Sequence, residues 1–515
     1  MSFSNSTYIT HLNSKSNLNS TSTSNSKPTP KSKSASKSKS KLYKRHFNYE
    51  LCDNKMDFHD CELAILRHAV DEGDKQRGVK MAQDPDITSI LSIVEEFLKT
   101  KGLICYGGTA INNVLPKSAQ FYDRALEIPD YDFYSPTAMD HAKELADVYH
   151  KAGFKNIEAK AGMHYGTYKV FVNYIPIADI TYLDPAIYKE IGKEALLIGG
   201  IKYAPPDFLR MNMYLELSRP AGDVSRWEKV LKRLTLLNKH YPLKTNANCN
   251  TVDFQRKVES SKIDAEKVYY MVRDVFVEQE VIFIGGYAVK LYARYMKKNE
   301  RNLIQHIPDF DVLSEDPELC ATIISERLNQ HGFTNIQITK RQKIGELIPE
   351  RLEIKIDNET IAFIYKPIAC HNYNSIYINK KKINVGTIET LMSFYIAFYY
   401  SNEPYYFKDR ILCMARFLFD VEQKNRLAQR GLLKRFSIKC YGVQDTLESI
   451  RADKMKKYRE LKNNRKSREY DLWFLKYTFE DNDDNGINKR KTKNRRIHKN
   501  RTRRIKPPTS NEFLF

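Results

Sequence analysis

Short apolar runs that stop at paired glycines punctuate the chain, and each follows a segment of helical periodicity. Ile87, Ile90, Leu91, Val94, Phe97 and Leu98 recur at helical spacing and predict an amphipathic helix. Leu103-Ile-Cys-Tyr-Gly-Gly-Thr-Ala110 then reads as a buried strand feeding a tight turn. The same grammar returns downstream. Val268, Met271, Val272 and Val275 predict a second helix, and Val281-Ile-Phe-Ile-Gly-Gly-Tyr-Ala288 a second strand and turn. Ile128-Pro-Asp-Tyr-Asp-Phe-Tyr-Ser135 matches Ile307-Pro-Asp-Phe-Asp-Val-Leu-Ser314 at an offset of 179 residues. In each copy a helix is expected next, capped by Ser135 or Ser314. It ends at Gly153-Phe-Lys-Asn-Ile157 or Gly332-Phe-Thr-Asn-Ile336, still at that offset of 179. Two copies are too few for a solenoid, so the pattern predicts a duplicated α/β domain.

The chemistry of the first copy lies in its acids. On a strand, residues i and i+2 face one side, so Asp130 and Asp132 can aim their carboxylates at one point. Two aligned carboxylates repel unless a cation sits between them, and oxygen ligands suit Mg2+ or Mn2+. A lone Asp-x-Asp also occurs in ordinary surface turns. Here it follows strand, Gly-Gly and helix by about twenty residues, which is far more specific. The β-rich stretch from Val170 to Tyr182 supplies Asp179 between apolar neighbours, where a carboxylate is costly unless paired or metal-bound. An edge-strand charge is the plain alternative. Gly107 and Gly108 let backbone N–H groups approach phosphates, and Thr109 offers either a hydroxyl for them or a helix N-cap. Lys202 and Tyr203, after Gly199-Gly200, are candidates for phosphate and base; Asn212 and Arg219, on a helix expected after Pro206, are similar candidates.

Gly107-Gly108-Thr109, Asp130-Tyr-Asp132 and Asp179 together resemble the polymerase-β-like nucleotidyltransferase superfamily. From about residue 50 to about 440 the chain is most similar to poly(A) polymerase catalytic subunits of poxviruses and giant DNA viruses, including Asp207–Pro220 and Trp227–Leu234. The resemblance implies a metal site of Asp130, Asp132 and Asp179, Mg2+ (or Mn2+) as cofactor, ATP as substrate and an RNA 3′ end as acceptor. It also implies a role in viral mRNA maturation, in the virion and host cytoplasm, with a separate processivity subunit; the basic tails and extra domain suggest instead self-sufficient processivity as a homodimer. Transfer of another nucleotide, modification of another acceptor and a non-catalytic nucleotide- or RNA-binding scaffold stay open. The second copy keeps Gly285, Gly286, Asp309 and Asp311, but Phe363 falls opposite Asp179. That predicts loss of the third acid, unless Glu353, Asp357 or Glu359 substitutes in a shifted register. The expected fold is therefore α/β (α+β), with two tandem nucleotidyltransferase-like domains, the second degenerate, plus helical elements and disordered basic tails.

Charge sharpens this picture. Of a net +21, residues 1–46 contribute nine Lys or Arg and residues 489–506 eleven, with no acid in either, so only +1 remains for everything else. The first segment is Ser-, Asn- and Lys-rich and cannot bury enough apolar surface to order itself. Both tails read as solvated extensions or as a flexible grip on polynucleotide phosphates. The expected boundaries are a basic tail (1–46), a helical region (47–100), a catalytic domain (101–245), a degenerate domain (246–475) and a C-terminal tail (476–515). No apolar run is long enough for a bilayer, and no membrane partner is expected. The eight cysteines form no Cys-x-x-Cys, which predicts a reducing, intracellular setting without a disulfide framework. Cys52, His59, Cys61 and His68 have no recognisable zinc-ligand spacing.

Overall fold

The computed structural model describes residues 51–479, less 53–54, 83, 124–127, 246–247, 250–251, 253–263 and 298–309. Residues 1–46 and 480–515, and Asp309, lie outside the described residues; the first residues of the expected C-terminal tail, Lys476–Thr478, instead form a strand of the first sheet. Helix α1 (Phe58–Ala82) leads to α2 (Pro85–Lys101). The Asp84 side chain caps α2 by accepting from Asp86 N, Pro85 opens it, and Gly102 ends it in the left-handed conformation at φ +60°. Its apolar stripe, Ile87, Ile90, Val94, Phe97 and Leu98, is buried. The chain continues through β1 (Ile104–Tyr106), α3 (Gly107–Val114), β2 (Tyr131–Ser135), α4 (Ala138–Lys151), β3 (Ile157–Ala161), β4 (Thr167–Val172) and β5 (Ile175–Tyr182). Then come α5 (Pro185–Lys193), β6 (Leu196–Ile198), β7 (Ile201–Tyr203), α6 (Pro206–Leu217) and α7 (Trp227–His240).

The second copy runs α8 (Ala265–Glu278), β8 (Ile282–Phe283), α9 (Gly286–Tyr292), β9 (Phe310–Leu313), α10 (Pro317–Gln330), β10 (Ile336–Arg341), β11 (Arg351–Ile356) and β12 (Glu359–Tyr365). It finishes with β13 (His371–Ile378), β14 (Lys381–Gly386), α11 (Ile388–Ser401) and α12 (Lys408–Lys424). Last are β15 (Cys440–Tyr441), α13 (Leu447–Leu461), α14 (Arg468–Phe474) and β16 (Lys476–Thr478).

The duplication is visible strand by strand. The first sheet has the order β16-β3-β4-β5-β2-β1-β7-β6, the second β10-β11-β12-β9-β8-β14-β13-β15. Without β16 and β15 the two orders are identical, each strand of one copy answering its repeat in the other. Even the hairpin turns agree. Asn173-Tyr174 and Asp357-Asn358 both take positive φ at two successive residues, as do Gly199-Gly200 and Asn379-Lys380. Helix α6 of the first copy packs on α11 of the second, and Asn372 N donates to Ser218 O at 2.8 Å across the same seam.

The first sheet has a sharp division of faces. Ile157, Ala159, Tyr168, Val170 and Val172 are buried, and α4 packs against β3, β4 and β5. Their alternates Glu158, Lys160, Lys169 and Phe171 are only half-buried.

Three local expectations change. The helix after β2 is capped at Thr137, while Ser135 Oγ turns inward, accepting from Thr137 N and bonding His141 Nδ1 at 2.6 Å. In the second copy Asp316, not Ser314, caps α10 through Leu319 N. The cysteines pair as Cys52–Cys61, Cys249–Cys413 and Cys370–Cys440, with Cα–Cα distances of 5.2, 5.4 and 5.2 Å. The last two pairs join residues 164 and 70 apart, so tertiary folding, not local spacing, brings them together. The pairing also removes Cys52 and Cys61 from any zinc site. Among the described residues no helix is long and apolar enough to cross a membrane.

Candidate functional site

The end of β1 and the start of β2 meet antiparallel, with Tyr106 opposite Asp132. Strand β5 then lies parallel to β2 with Asp179 directly opposite Asp132. Directly paired residues project to the same face, so these two carboxylates stand side by side at the sheet's centre; Asp179 is no edge charge. Asp130 lies just ahead of β2, and its backbone carbonyl accepts a hydrogen bond from Thr109 Oγ1 at 2.8 Å. The Thr109 hydroxyl thus fixes the acid-bearing loop; the N-cap of α3 is Tyr106, which makes no side-chain cap bond. Gly107 has φ +73°, and a Cβ there would overlap the Asp132 carboxylate. The glycine is required by this close approach as well as by the turn.

The electrostatics are those of a crowded, poorly hydrated anionic centre. Burial, then Asp130 and Asp179, raise Asp132 well above the ordinary carboxylate range, with Lys169 and Arg226 opposing. Burial likewise raises Asp179, which is 1% exposed, against the attraction of Lys169. The Lys169 ammonium forms an ion pair with Asp179 Oδ2. Asp132 Oδ1 is buried with no hydrogen-bond partner. A carboxyl oxygen left unpaired inside a low-dielectric site is costly, and a hard divalent cation is a ligand that such oxygens suit. The fit is chemical rather than geometric: among the described residues no three His, Cys, Asp or Glu side chains close around a common metal position. One Asp179 oxygen, Oδ2, is already engaged by Lys169.

Beyond the acids, a Cβ on Gly108 would lie 2.9 Å from Tyr122 Oη and 3.0 Å from Arg233 Nη1. Arg233 comes from α7 and lies over Phe121 and Tyr122, 4.9 and 5.4 Å from their ring centroids. Arg226 pairs with Glu216 at 3.3 Å. Other sequence candidates lie elsewhere. Lys202 extends toward Gly102, ahead of β1, while the acids sit past the opposite end of that strand. Tyr203 is buried beneath α3 and accepts from Asn113 Nδ2 at 2.9 Å. Asn212 donates to Tyr134 Oη at 3.1 Å, and Arg219 sits just past the helix C-cap Ser218. Sequence reasoning missed Lys169, Arg226 and Arg233. For Lys169 the signal was available: it and Asp179 flank the Asn173-Tyr174 turn and pair across it.

The second copy repeats this register with different chemistry. Phe363 lies directly opposite Asp311, as Asp179 lies opposite Asp132. Glu353 takes the place of Lys169, opposite Phe363. It is held by Arg341 at 2.7 Å and by the Thr360 hydroxyl at 2.7 Å. The β11–β12 register slips only beyond Ile354, so Phe363 keeps the third-acid position, and Glu353 is committed to its own ion pair. Asp311 accepts from Tyr365 Oη at 3.3 Å.

Residues 92–223 match a family model described as the poly(A) polymerase catalytic subunit. A protein of Acanthamoeba polyphaga mimivirus named "Putative poly(A) polymerase catalytic subunit" is 24% identical over 419 residues, covering 72% of this chain and 69% of its own length. One of the same name from African swine fever virus (strain Badajoz 1971 Vero-adapted) is 34% identical over 165 residues, 31% of this chain and 34% of its own. The crystal structure of the Megavirus polyadenylate synthase is similar in fold, with a TM-score of 0.69 at 21% identity, over 79% of this chain and 86% of that one.

Proposed function

We propose that this chain, whose residues 92–223 match the catalytic-subunit model of the poly(A) polymerase family, is a polynucleotide adenylyltransferase. It extends RNA 3′ ends without a template, converting ATP and an RNA 3′-hydroxyl to RNA lengthened by one adenylate plus pyrophosphate. Its substrates are viral transcripts, and its place of action the virion and host cytoplasm. The observation that supports this most is the pairing of Asp132 with Asp179 on adjacent parallel strands beside a Gly-Gly turn.

Asp130, Asp132 and Asp179 are the metal-holding and catalytic acids in this reading. Mg2+ or Mn2+ bound there would supply Lewis-acid activation of the 3′-hydroxyl and neutralise charge on the departing pyrophosphate. Gly107 and Gly108 open the N-terminus of α3 to the triphosphate, a place where backbone N–H groups and the helix dipole favour anions. Thr109 keeps Asp130 in position through its carbonyl. Arg233, beside Gly108, and Arg226, near Asp132, bring positive charge to the same place. Tyr203 then serves as a support behind α3, and Lys202, exposed at the Gly102 end of the strand, lies away from the reacting phosphates. A separate processivity subunit or a second copy of the chain completes long-tail synthesis.

Primer extension with each nucleoside triphosphate in turn tests the reading, with Asp132→Ala alongside. ATP-dependent, metal-dependent extension by the wild type, absent in a folded Asp132→Ala protein, is expected. Extension by folded Asp132→Ala at the wild-type rate removes the site assignment, and preference for another nucleotide removes the adenylyl specificity.

A further inference from the structure

The acid cluster does not end at Asp179. Following the pairing outward across the first sheet, Asp132 is opposite Asp179, Asp179 opposite Lys169, Lys169 opposite Lys160, and Lys160 opposite Lys476. Cross-strand partners share a face, so three ammonium groups stand in line with the acids. At about 4.8 Å per strand the row reaches roughly 14 Å from Asp179 to the sheet edge. It lies on the face opposite the buried residues that meet α4, with Lys160 41% exposed and Lys476 exposed.

We propose that Lys169, Lys160 and Lys476 form a lane for the backbone phosphates of a single-stranded RNA primer whose 3′ end lies at the acids. The inference rests on the reading of this chain as an RNA-extending enzyme and names the residues that hold its acceptor. The duplicate provides an internal contrast. The equivalent row in the second sheet runs Asp311, Phe363, Glu353, Thr339. Where the third acid is gone, so is the line of lysines; the strand scaffold alone does not call for them. Lys160 pairs with Glu158 Oε2 at 2.7 Å, and Glu158 lies beside the row, not in it. Phe171, two residues from Lys169 on the same face, lies 4.1 Å from the Lys160 ammonium. It adds an aromatic surface next to the phosphates, the combination of charge and stacking that suits single strands. The lane ends at β16, and the sequence beyond that strand carries eleven Lys or Arg between 489 and 506. A polynucleotide leaving the lane therefore meets the edge strand to which that cationic stretch is covalently joined.

The test uses the full chain carrying Lys160→Glu and Lys476→Glu, with the Lys160→Gln, Lys476→Gln pair as the milder variant. A fluorescently labelled single-stranded RNA oligonucleotide is titrated by anisotropy at several salt concentrations, and KM for primer and for ATP are measured separately. The expected result is at least a tenfold weaker RNA affinity for the Glu pair and a smaller loss for the Gln pair. The salt slope should flatten by about 0.7 for each RNA phosphate that no longer meets a lysine. Primer KM should rise while ATP KM stays within twofold. Unchanged RNA affinity and slope in either folded variant overturn the proposal, as does a raised ATP KM with RNA binding intact. Because anisotropy needs no turnover, a wild type that binds RNA yet adds no adenylate fails the polymerase reading and leaves this test standing.

Discussion

Lys169→Met isolates the electrostatic problem at the acid cluster. In the wild type its ammonium is paired with Asp179, which is 1% exposed, while Lys169 itself is 25% exposed. Breaking a buried pair by removing one partner costs on the order of 3–5 kcal/mol. The partial exposure of Lys169 admits solvent screening and lowers that to about 2 kcal/mol. Methionine keeps most of the stem and its packing, so the loss reports charge rather than volume. In EDTA the variant should unfold about 2 °C below wild type, taking roughly 1 °C per kcal/mol for a chain of this size. Mg2+ should then reverse the order of response. With the competing ammonium gone, the cation binds more tightly, and a metal at 100 times its Kd stabilises by about 2.7 kcal/mol. Differential scanning fluorimetry across a Mg2+ titration, with Ca2+ for comparison, measures both effects. A variant as stable as wild type in EDTA refutes the ion-pair argument. A variant whose Mg2+ response equals that of the wild type refutes the idea that ammonium and metal compete for Asp179.

Gly107→Ala should abolish nucleotide addition and lower stability by about 1–2 kcal/mol, since a Cβ there meets the Asp132 carboxylate at φ +73°; retained extension would show the approach to be dispensable. The double change Asp309→Asn, Asp311→Asn should leave primer extension near wild type, because Phe363 stands where a third acid is needed; loss as complete as that from Asp130→Asn, Asp132→Asn, in a folded protein, sinks the single-site reading. Glu422 gives a pH test: burial first, then Glu389, push its carboxyl up from 4.5 to about 7. Its folded pKa is raised, so its contribution is full below about pH 4.5 and lost as pH rises through 7. Glu422→Gln should therefore stabilise by roughly 1–3 kcal/mol at pH 8 and hardly at all at pH 5, and a pH-independent difference in unfolding temperature would refute the assignment.

The duplication and the three acids were legible because each rests on short-range grammar. Strand, Gly-Gly, helix and Asp-x-Asp recur at one constant offset, and Phe363 could be placed opposite Asp179 from the sequence alone; the strands confirm that opposition in register. What was hidden depends on partners distant in sequence. The cysteine pairs 249–413 and 370–440 bring together residues with no local spacing signal. Thr109 could be read as a cap because threonine before a helix so often is one; only the folded loop shows its hydroxyl spent on Asp130. Lys202 follows a Gly-Gly turn that looks like a phosphate loop, yet the parallel pairing with β1 sends it toward Gly102. Chain direction, not composition, separates the two ends of such a strand.

The two copies explain one another. A carboxylate on β5 flanked by two more is tolerable only with positive charge nearby, and Lys169 supplies it from the adjacent strand. Once the acid is replaced by Phe363, the neighbour no longer needs to be a cation, and Glu353 there finds Arg341 instead. The ring of Phe363 packs 5.0 Å from Tyr405 and 6.2 Å from Tyr365. An apolar cluster thus fills the place where the first copy keeps its ionic one. That exchange removes the repulsion from neighbouring carboxylates that Asp179 meets in the first copy. Helix α11 of the second copy packs against α6 of the first, and the first copy retains a buried Asp132 oxygen that no hydrogen bond satisfies.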